Sequence, residues 1–187
     1  GGLVRRKILK ALGLDQCRYA VGGAAPMPAE LLRWYLALGL DMLEGYGMTE
    51  NGGVSHSTLP GQPRPGTVGL PYEGIESRID PATGEIQMRS PGVMLGDYLQ
   101  PELTREAFTD DGWFCTGDIV TIAPDGCITI TDRSKDVIKS GGEWVSSVAL
   151  EGALMGHAEV FEAAVVGLPH PRWSERPFAV VVRKPGA

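Results

Sequence analysis

The stretch from Arg18 to Leu43 constrains the fold of this chain more than any other. Arg18-Tyr19-Ala20-Val21 reads as a short strand and runs into Gly22-Gly23-Ala24-Ala25-Pro26. Apolar residues then recur at Leu31, Leu32, Tyr35, Leu36 and Leu38, which is helical spacing. Pro28 suits a first turn and Gly39 suits a stop. Asp41-Met42-Leu43 follows as a second strand. Strand, glycine-rich loop, helix, strand is the order of a parallel α/β sheet, whose ligands gather at the carboxyl ends of the strands. Ahead of it, Leu3 to Leu12 is basic and amphipathic and is stopped by Gly13, so a helix is expected there.

After Ser57 the pattern changes. Pro60, Gly61, Pro63, Pro65, Gly66, Gly69, Pro71 and Gly74 leave no room for a helical period. Ile75 to Asp80 and Glu85 to Arg89 alternate like strands around the turn Pro81-Ala82-Thr83-Gly84. Asp110-Asp111-Gly112 and Pro124-Asp125-Gly126 mark two more turns, and Cys127 to Thr131 is strand-like. Short strands between regular turns predict a small antiparallel barrel, roughly from Gly61 to Thr131. From Ser134 a third element begins. Ser146 or Ser147 caps a helix reaching Met155 and ended by Gly156; Glu162 to Leu168 and Phe178 to Arg183 follow as Val-rich strands. The expected organisation is 1–60 as the end of an α/β subdomain, 61–133 as the barrel, and 134–187 as the start of a small α+β domain.

Composition limits the function. The formal net charge of -6 argues against a general nucleic-acid binder, because neutralising phosphates takes clustered Lys and Arg. Cys17, Cys115 and Cys127 lie far apart with no CxxC spacing, so buried, reduced thiols are expected and a zinc site is not. His56, His157 and His170 show no metal spacing and read as surface or packing residues. Trp34 fits a helix face and is expected in the core. No apolar run is long enough to span a bilayer, and the amino terminus has no signal-like core. A cytoplasmic setting is expected, with peripheral membrane attachment left open.

Several stretches carry chemistry. Tyr46 lies between Gly45 and Gly47, so its ring can stack on a base; the competing reading packs it in the core. Thr49 offers a hydroxyl to a phosphate, and Glu50 a hard oxygen to Mg²⁺. Asp118, in Thr116-Gly117-Asp118, can accept from both hydroxyls of a ribose, or merely close an Asx turn. The run from Arg133 to Glu143 sets the cations Arg133, Lys135 and Lys139 beside Gly141-Gly142. The adjacent glycines let a ligand or another chain approach the backbone, which a merely solvated basic loop does not need. Gly22 to Pro26 can form a flat wall against a ring, or a tight strand exit.

The order and spacing of these stretches resemble the adenylate-forming superfamily of acyl-CoA synthetases, luciferases and peptide-synthetase adenylation domains. Gly23-Ala24-Ala25-Pro26, Tyr46-Gly47-Met48-Thr49-Glu50, Thr116-Gly117-Asp118 and Asp132 through Gly142 carry the likeness, which covers nearly the whole chain. Asp132 to Ser147 most resembles fatty acyl-CoA synthetases for medium- or long-chain acids. The resemblance implies two steps: a carboxylate attacks the α-phosphate of ATP, and coenzyme A then displaces AMP. It implies that Tyr46 stacks on adenine with Gly23, Ala24 and Ala25 on its other side, and that Gly47 and Thr49 approach phosphate. It implies that Glu50 holds Mg²⁺, that Asp118 and Arg133 grip the ribose, and that Lys135 is the hinge of a mobile domain. It further implies that Gly141 and Gly142 line the thiol tunnel with Lys139 nearby, and that Thr49, Glu50 and Lys139 are the candidate catalytic residues.

The superfamily's phosphate loop would precede Gly1 and its terminal catalytic lysine would follow Ala187. The expectation is therefore a fragment with little adenylation activity of its own. The expected partners are a carboxylic acid, a fatty acid foremost, together with ATP and coenzyme A. Aryl acids or amino acids remain alternatives, as do a non-catalytic AMP- or ATP-binding module and an α/β interaction module with accidental motifs.

Overall fold

The computed structural model describes residues 2–25 and 27–186. The chain forms two compact units. The first comprises Gly1–Arg78, Gln87–Cys115 and Ile122–Ile130; the second comprises Ile79–Ile86, Thr116–Thr121 and Thr131–Ala187.

The first unit opens with helix α1 (Gly2–Ala11), strand β1 (Tyr19–Gly22), helix α2 (Ala29–Ala37) and strand β2 (Asp41–Tyr46). β1 and β2 pair in parallel, from Tyr19 opposite Asp41 to Gly22 opposite Glu44, as the strand–helix–strand order predicts. Pro28 stands at the amino-terminal cap of α2 with φ of -55°, and Gly39, at φ of +84°, carries the chain out of it. α2 buries Leu32, while Trp34 stays 45% exposed rather than entering the core. Trp34 lies off the face that carries Leu32 and meets the Tyr35 ring edge-on at 5.0 Å. Strands β3 (His56–Ser57) and β4 (Leu70–Pro71) extend the sheet to the order β1-β2-β3-β4, both in antiparallel pairings. Leu40, Leu43 and Tyr46 supply its core.

Strands β5 (Glu76–Ile79), β6 (Glu85–Arg89), β7 (Phe114–Ile122) and β8 (Ile128–Arg133) form a second four-stranded sheet in that order. The expected turns connect them: Asp80 accepts from the Ala82 amide and the Thr83 hydroxyl, and Gly126 takes φ of +84°. A short helix, α3 (Pro101–Glu106), interrupts the run of strands and was not expected. Six residues are too few to show a period, although Pro101 at its start is a local sign. In the first unit, Arg78 and Arg89 both stack against the Trp113 ring, at 4.5 and 4.6 Å. Arg78 also holds the Asp111 carboxylate with two hydrogen bonds, which keeps that group well below the usual carboxylate range.

The second unit contains strands β9 (Ile138–Ser140) and β10 (Glu143–Val145), helix α4 (Ser147–Met155), and strands β11 (Val160–His170) and β12 (Ser174–Arg183). Its sheet order is β10-β9-β12-β11. The stretch after Arg133 is thus a tight hairpin rather than an open loop, with Gly141 and Gly142 at φ of +63° and +86° in its turn. α4 packs on β11, where Ala163 and Val165 are buried and the Glu151 carboxylate accepts from the Val165 amide. Cys127 is buried, with its thiol pKa raised by burial, whereas Cys17 and Cys115 are half-buried, contrary to the expectation for those two. No helix among the described residues is long and apolar enough to cross a membrane.

Candidate functional site

Parallel pairing of β1 and β2 places the loops that leave them at the same edge of the sheet. Gly23, Ala24 and Ala25 leave β1 and are exposed; Pro26 lies outside the described residues. A Cβ on Gly23 would stand 3.0 Å from the Gly45 carbonyl oxygen, so the two segments approach each other backbone to backbone. Ala24 holds a left-handed conformation, φ +66°, uncommon for a residue with a side chain.

β2 ends at Tyr46, which is 7% exposed, with its ring centroid 5.8 Å from that of His56. At Gly47 any side chain would overlap the Gly53 carbonyl, so glycine is required for the chain to fold back there. A single 3-10 turn, Thr49–Asn51, then lifts the Thr49 and Glu50 side chains into solvent while Asn51 is buried. The Glu50 carbonyl accepts from the Met94 amide at 2.7 Å, which anchors the turn from outside. Beneath it, the Glu44 carboxyl is pushed upward in pKa by burial, and the Gly66 amide, donating to it at 3.1 Å, partly offsets this.

In the second unit, Thr116, Gly117 and Asp118 form a hydrogen-bonded corner. The Thr116 hydroxyl donates to the Ile86 carbonyl at 2.7 Å and accepts from the Asp118 amide at 3.1 Å. Gly117, at φ +75°, donates its amide to Glu85 at 2.6 Å and accepts from the Ser134 amide at 2.7 Å. This corner brings Asp118 and Arg133 together: Arg133 Nε lies 3.6 Å from Asp118 Oδ1, with the carboxylate side chain 8% and the guanidinium side chain 62% exposed. A nearly buried acceptor beside an exposed fork of donors is suited to a polyhydroxylated or anionic ligand.

Lys135 follows in an exposed turn closed by bonds from the Asp136 and Val137 amides to the Arg133 carbonyl. Asp132 points the other way, accepting from the amide and the hydroxyl of Ser147 at the start of α4. Its separation from Ser147 in sequence hid this contact. Lys139 is exposed, with Nζ 5.5 Å from the centre of the Trp144 ring. A cavity of about 340 Å³ is lined by Ser140, Gly141, Glu143, Val145, Trp173, Arg176 and Pro177. Trp173 closes over Gly141: its carbonyl accepts from the Gly141 amide at 3.0 Å, and its ring occupies the space a Cβ at Gly141 would need. Sequence reasoning missed Trp173, whose one signal was an aromatic residue in the turn between two Val-rich strands. No cluster of three or more His, Cys, Asp or Glu able to cage a metal occurs among the described residues.

Residues 4–98 match the profile of the AMP-binding enzyme family, and residues 149–187 that of the AMP-binding enzyme C-terminal domain. The chain is 43% identical to a long-chain-fatty-acid–CoA ligase of Thermus thermophilus, over 88% of this chain and 34% of that protein. It is 36% identical to a 3-methylmercaptopropionyl-CoA ligase of Ruegeria lacuscaerulensis, over 90% of this chain and 35% of that one. Among solved structures, ATP-bound MatB from Rhodopseudomonas palustris superposes with a TM-score of 0.77 at 37% identity, covering 89% of this chain and 35% of that one. The chain thus spans about a third of the length of these relatives. On these matches over residues 4–98 and 149–187, and on a relative 43% identical over 88% of it, the chain belongs to the family of AMP-binding enzymes.

Proposed function

We propose that this chain is the nucleotide-gripping and hinge portion of a ligase that joins a carboxylic acid to coenzyme A at the expense of ATP. The observation that supports it most is the Asp118–Arg133 pair, a nearly buried carboxylate beside a solvent-facing guanidinium, two residues before the exposed Lys135. In this reading Asp118 accepts from the ribose hydroxyls and Arg133 adds donors to the same sugar or to phosphate. Gly23, Ala24 and Ala25, exposed at the end of β1, take the adenine beside Tyr46, whose ring is packed against His56 and leaves little of its surface to the site, and Gly47 lets the backbone come close to phosphate. Thr49 donates to phosphate. Glu50, exposed and on a turn anchored by Met94, fits a Mg²⁺ that arrives on the nucleotide and needs one carboxylate rather than a cage. Such an ion, when bound, supplies charge neutralisation on the phosphates.

The first half-reaction forms a bond between a carboxylate oxygen and the α-phosphorus and breaks the bond to pyrophosphate. In the second, the thiol sulfur bonds to the acyl carbon and AMP leaves. Both gain chiefly from positioning and from donors aimed at developing charge. The Gly141–Gly142 turn, the cavity under Trp173 and nearby Lys139 are assigned to the approach of coenzyme A. Fatty acids are the favoured substrates; the long-chain-fatty-acid–CoA ligase among the relatives supports them, and the 3-methylmercaptopropionyl-CoA ligase marks the competing short, substituted acids.

The decisive experiment is ATP–pyrophosphate exchange by the complete protein over a panel of fatty, short-chain, aryl and amino acids. Exchange that depends on a fatty acid is expected, with Asp118→Ala and Tyr46→Ala each lowering kcat/KM for ATP by about tenfold or more. Exchange only with another acid class overturns the fatty-acid assignment. AMP binding without exchange on any carboxylate leaves the non-catalytic module in its place.

A further inference from the structure

Thr49 and Glu50 stand on a single turn of 3-10 helix, followed by two glycines in left-handed conformation, Gly52 at φ +85° and Gly53 at φ +96°. So short a turn does not hold its own shape in water. What lies beneath it is a buried polar cluster of Asn51, Ser55 and His56, which are 3%, 0% and 0% exposed. Asn51 Oδ1 accepts from the Met48 amide at 2.9 Å, on the entry side of the turn. Its Nδ2 donates to Met88 Sδ at 3.3 Å and, over a long 3.4 Å, to Ser55 Oγ on the exit side. One side-chain amide therefore ties the two ends of the turn together.

Ser55 Oγ lies 3.2 Å from the Tyr46 carbonyl and 3.0 Å from His56 Nδ1, and its one hydroxyl proton serves one of these two partners at a time. His56 Nε2 is a buried side-chain atom without a partner among the described residues. The network thus runs from His56 through Ser55 and Asn51 to the amide of Met48, the residue directly before Thr49.

We propose that Asn51 is a positioning residue for the Thr49–Glu50 turn, acting through the Met48 amide and, with Ser55, through the exit of the turn. The proposal rests on the reading above that Thr49 and Glu50 address Mg·ATP. Rotation of the Met48–Thr49 peptide swings both side chains, and a displacement of about 1 Å at a reacting phosphate lowers rate by about a hundredfold. The side chain must be an amide, because it accepts on one side and donates on the other. A carboxylate keeps only the first function and leucine keeps neither.

The test uses the complete protein. Asn51→Leu is expected to raise the KM for Mg·ATP and lower kcat/KM in exchange by about thirtyfold, with the KM for the acid within about twofold of wild type. Asn51→Asp, which keeps the acceptor for Met48, recovers part of the loss. Leu32→Val, a core change on α2 outside the hydrogen-bonded network of Asn51, lowers the thermal midpoint but leaves the KM for Mg·ATP unchanged. A folded Asn51→Leu with unchanged Mg·ATP constants overturns the proposal, as does a Leu32→Val that raises KM equally. Should Asn51→Leu not fold, Ser55→Ala reads the same link, and an unchanged KM there is equally fatal. Calorimetric titration with Mg·ATP separates the layers. Wild type that binds without exchanging overturns the ligase reading alone, and the Asn51→Leu titration then decides this one. Wild type that neither binds nor exchanges overturns both.

Discussion

His56 shows how much a single side chain depends on its surroundings. It is fully buried against Ser55 and the Tyr46 ring, and burial pushes its pKa down from 6.5 to about 4. The folded state therefore holds a neutral ring. As pH falls below about 6.5 the unfolded chain takes up a proton that the folded chain refuses, so stability declines until about pH 4. The gap between the two values corresponds to about 3 kcal/mol. Denaturant unfolding should show this loss in wild type and a flatter profile over the same range in His56→Leu; parallel profiles would show that His56 does not carry it. The sequence already grouped His56 with packing or surface residues, and packing is where it lies. Thr49 and Glu50 are exposed, as the proposed contacts with phosphate and Mg²⁺ require. Tyr46 was ambiguous, because flanking glycines free a ring without saying whether a neighbouring strand covers it; pairing of β2 with β3 sets His56 against it. Asn51 was illegible, since a polar residue among glycines reads as a turn whether it points up or down.

At the scale of elements, the start of α4 shows what local and distant contacts each contribute. The cap was legible to within one residue, Ser146 or Ser147, because the interaction is local; the structure selects Ser146, whose Oγ accepts from the Ala149 amide at 3.1 Å. Its hydroxyl also donates to the Thr131 carbonyl at 2.8 Å, and the Asp132 carboxylate accepts from the Ser147 amide at 2.7 Å. These two bonds fasten the end of β8 to the start of α4 across the exposed Lys135 turn. Ser146→Ala should cost about 1 kcal/mol. Asp132→Ala should cost about 2 kcal/mol or more, because it leaves the buried Ser147 amide and hydroxyl unpaired. The two losses should not add, since they act on adjacent residues of one cap. Denaturant midpoints of the single and double variants check this; a neutral Asp132→Ala would show that the contact is idle.

At the scale of the whole molecule, the proposed function requires a pivot. Lys135 is an interior residue of the turn that the Asp136 and Val137 amides close onto the Arg133 carbonyl, so a rotation about its backbone opens that turn at the cost of only these two bonds. Proline there fixes φ. In the complete protein Lys135→Pro is expected to retain acid-dependent pyrophosphate exchange within about threefold, while slowing thioester formation by about a hundredfold. Equal loss of both half-reactions would remove Lys135 from the hinge. The sheet of the second unit carries α4 on β11, while Phe178, Val180 and Val182, at alternate positions of β12, remain about half exposed. The apolar, Val-rich run of β12 was visible in sequence; its pairing with both β11 and β9 was not.

What the amino-acid sequence determined alone is everything set within a few residues or by a periodic pattern. The helical spacing of Leu31, Leu32, Tyr35 and Leu36, the cap at Ser146 or Ser147 and the glycine turns at Gly84 and Gly126 are of this kind. Tertiary structure decided the contacts between residues far apart in the chain: Asp118 with Arg133, Asp132 with Ser147, Asn51 with Met88, and Trp173 over Gly141. The physical reason is that a backbone torsion or a cap answers to its immediate neighbours, whereas a buried polar group finds its partner only when strand pairing has fixed both positions.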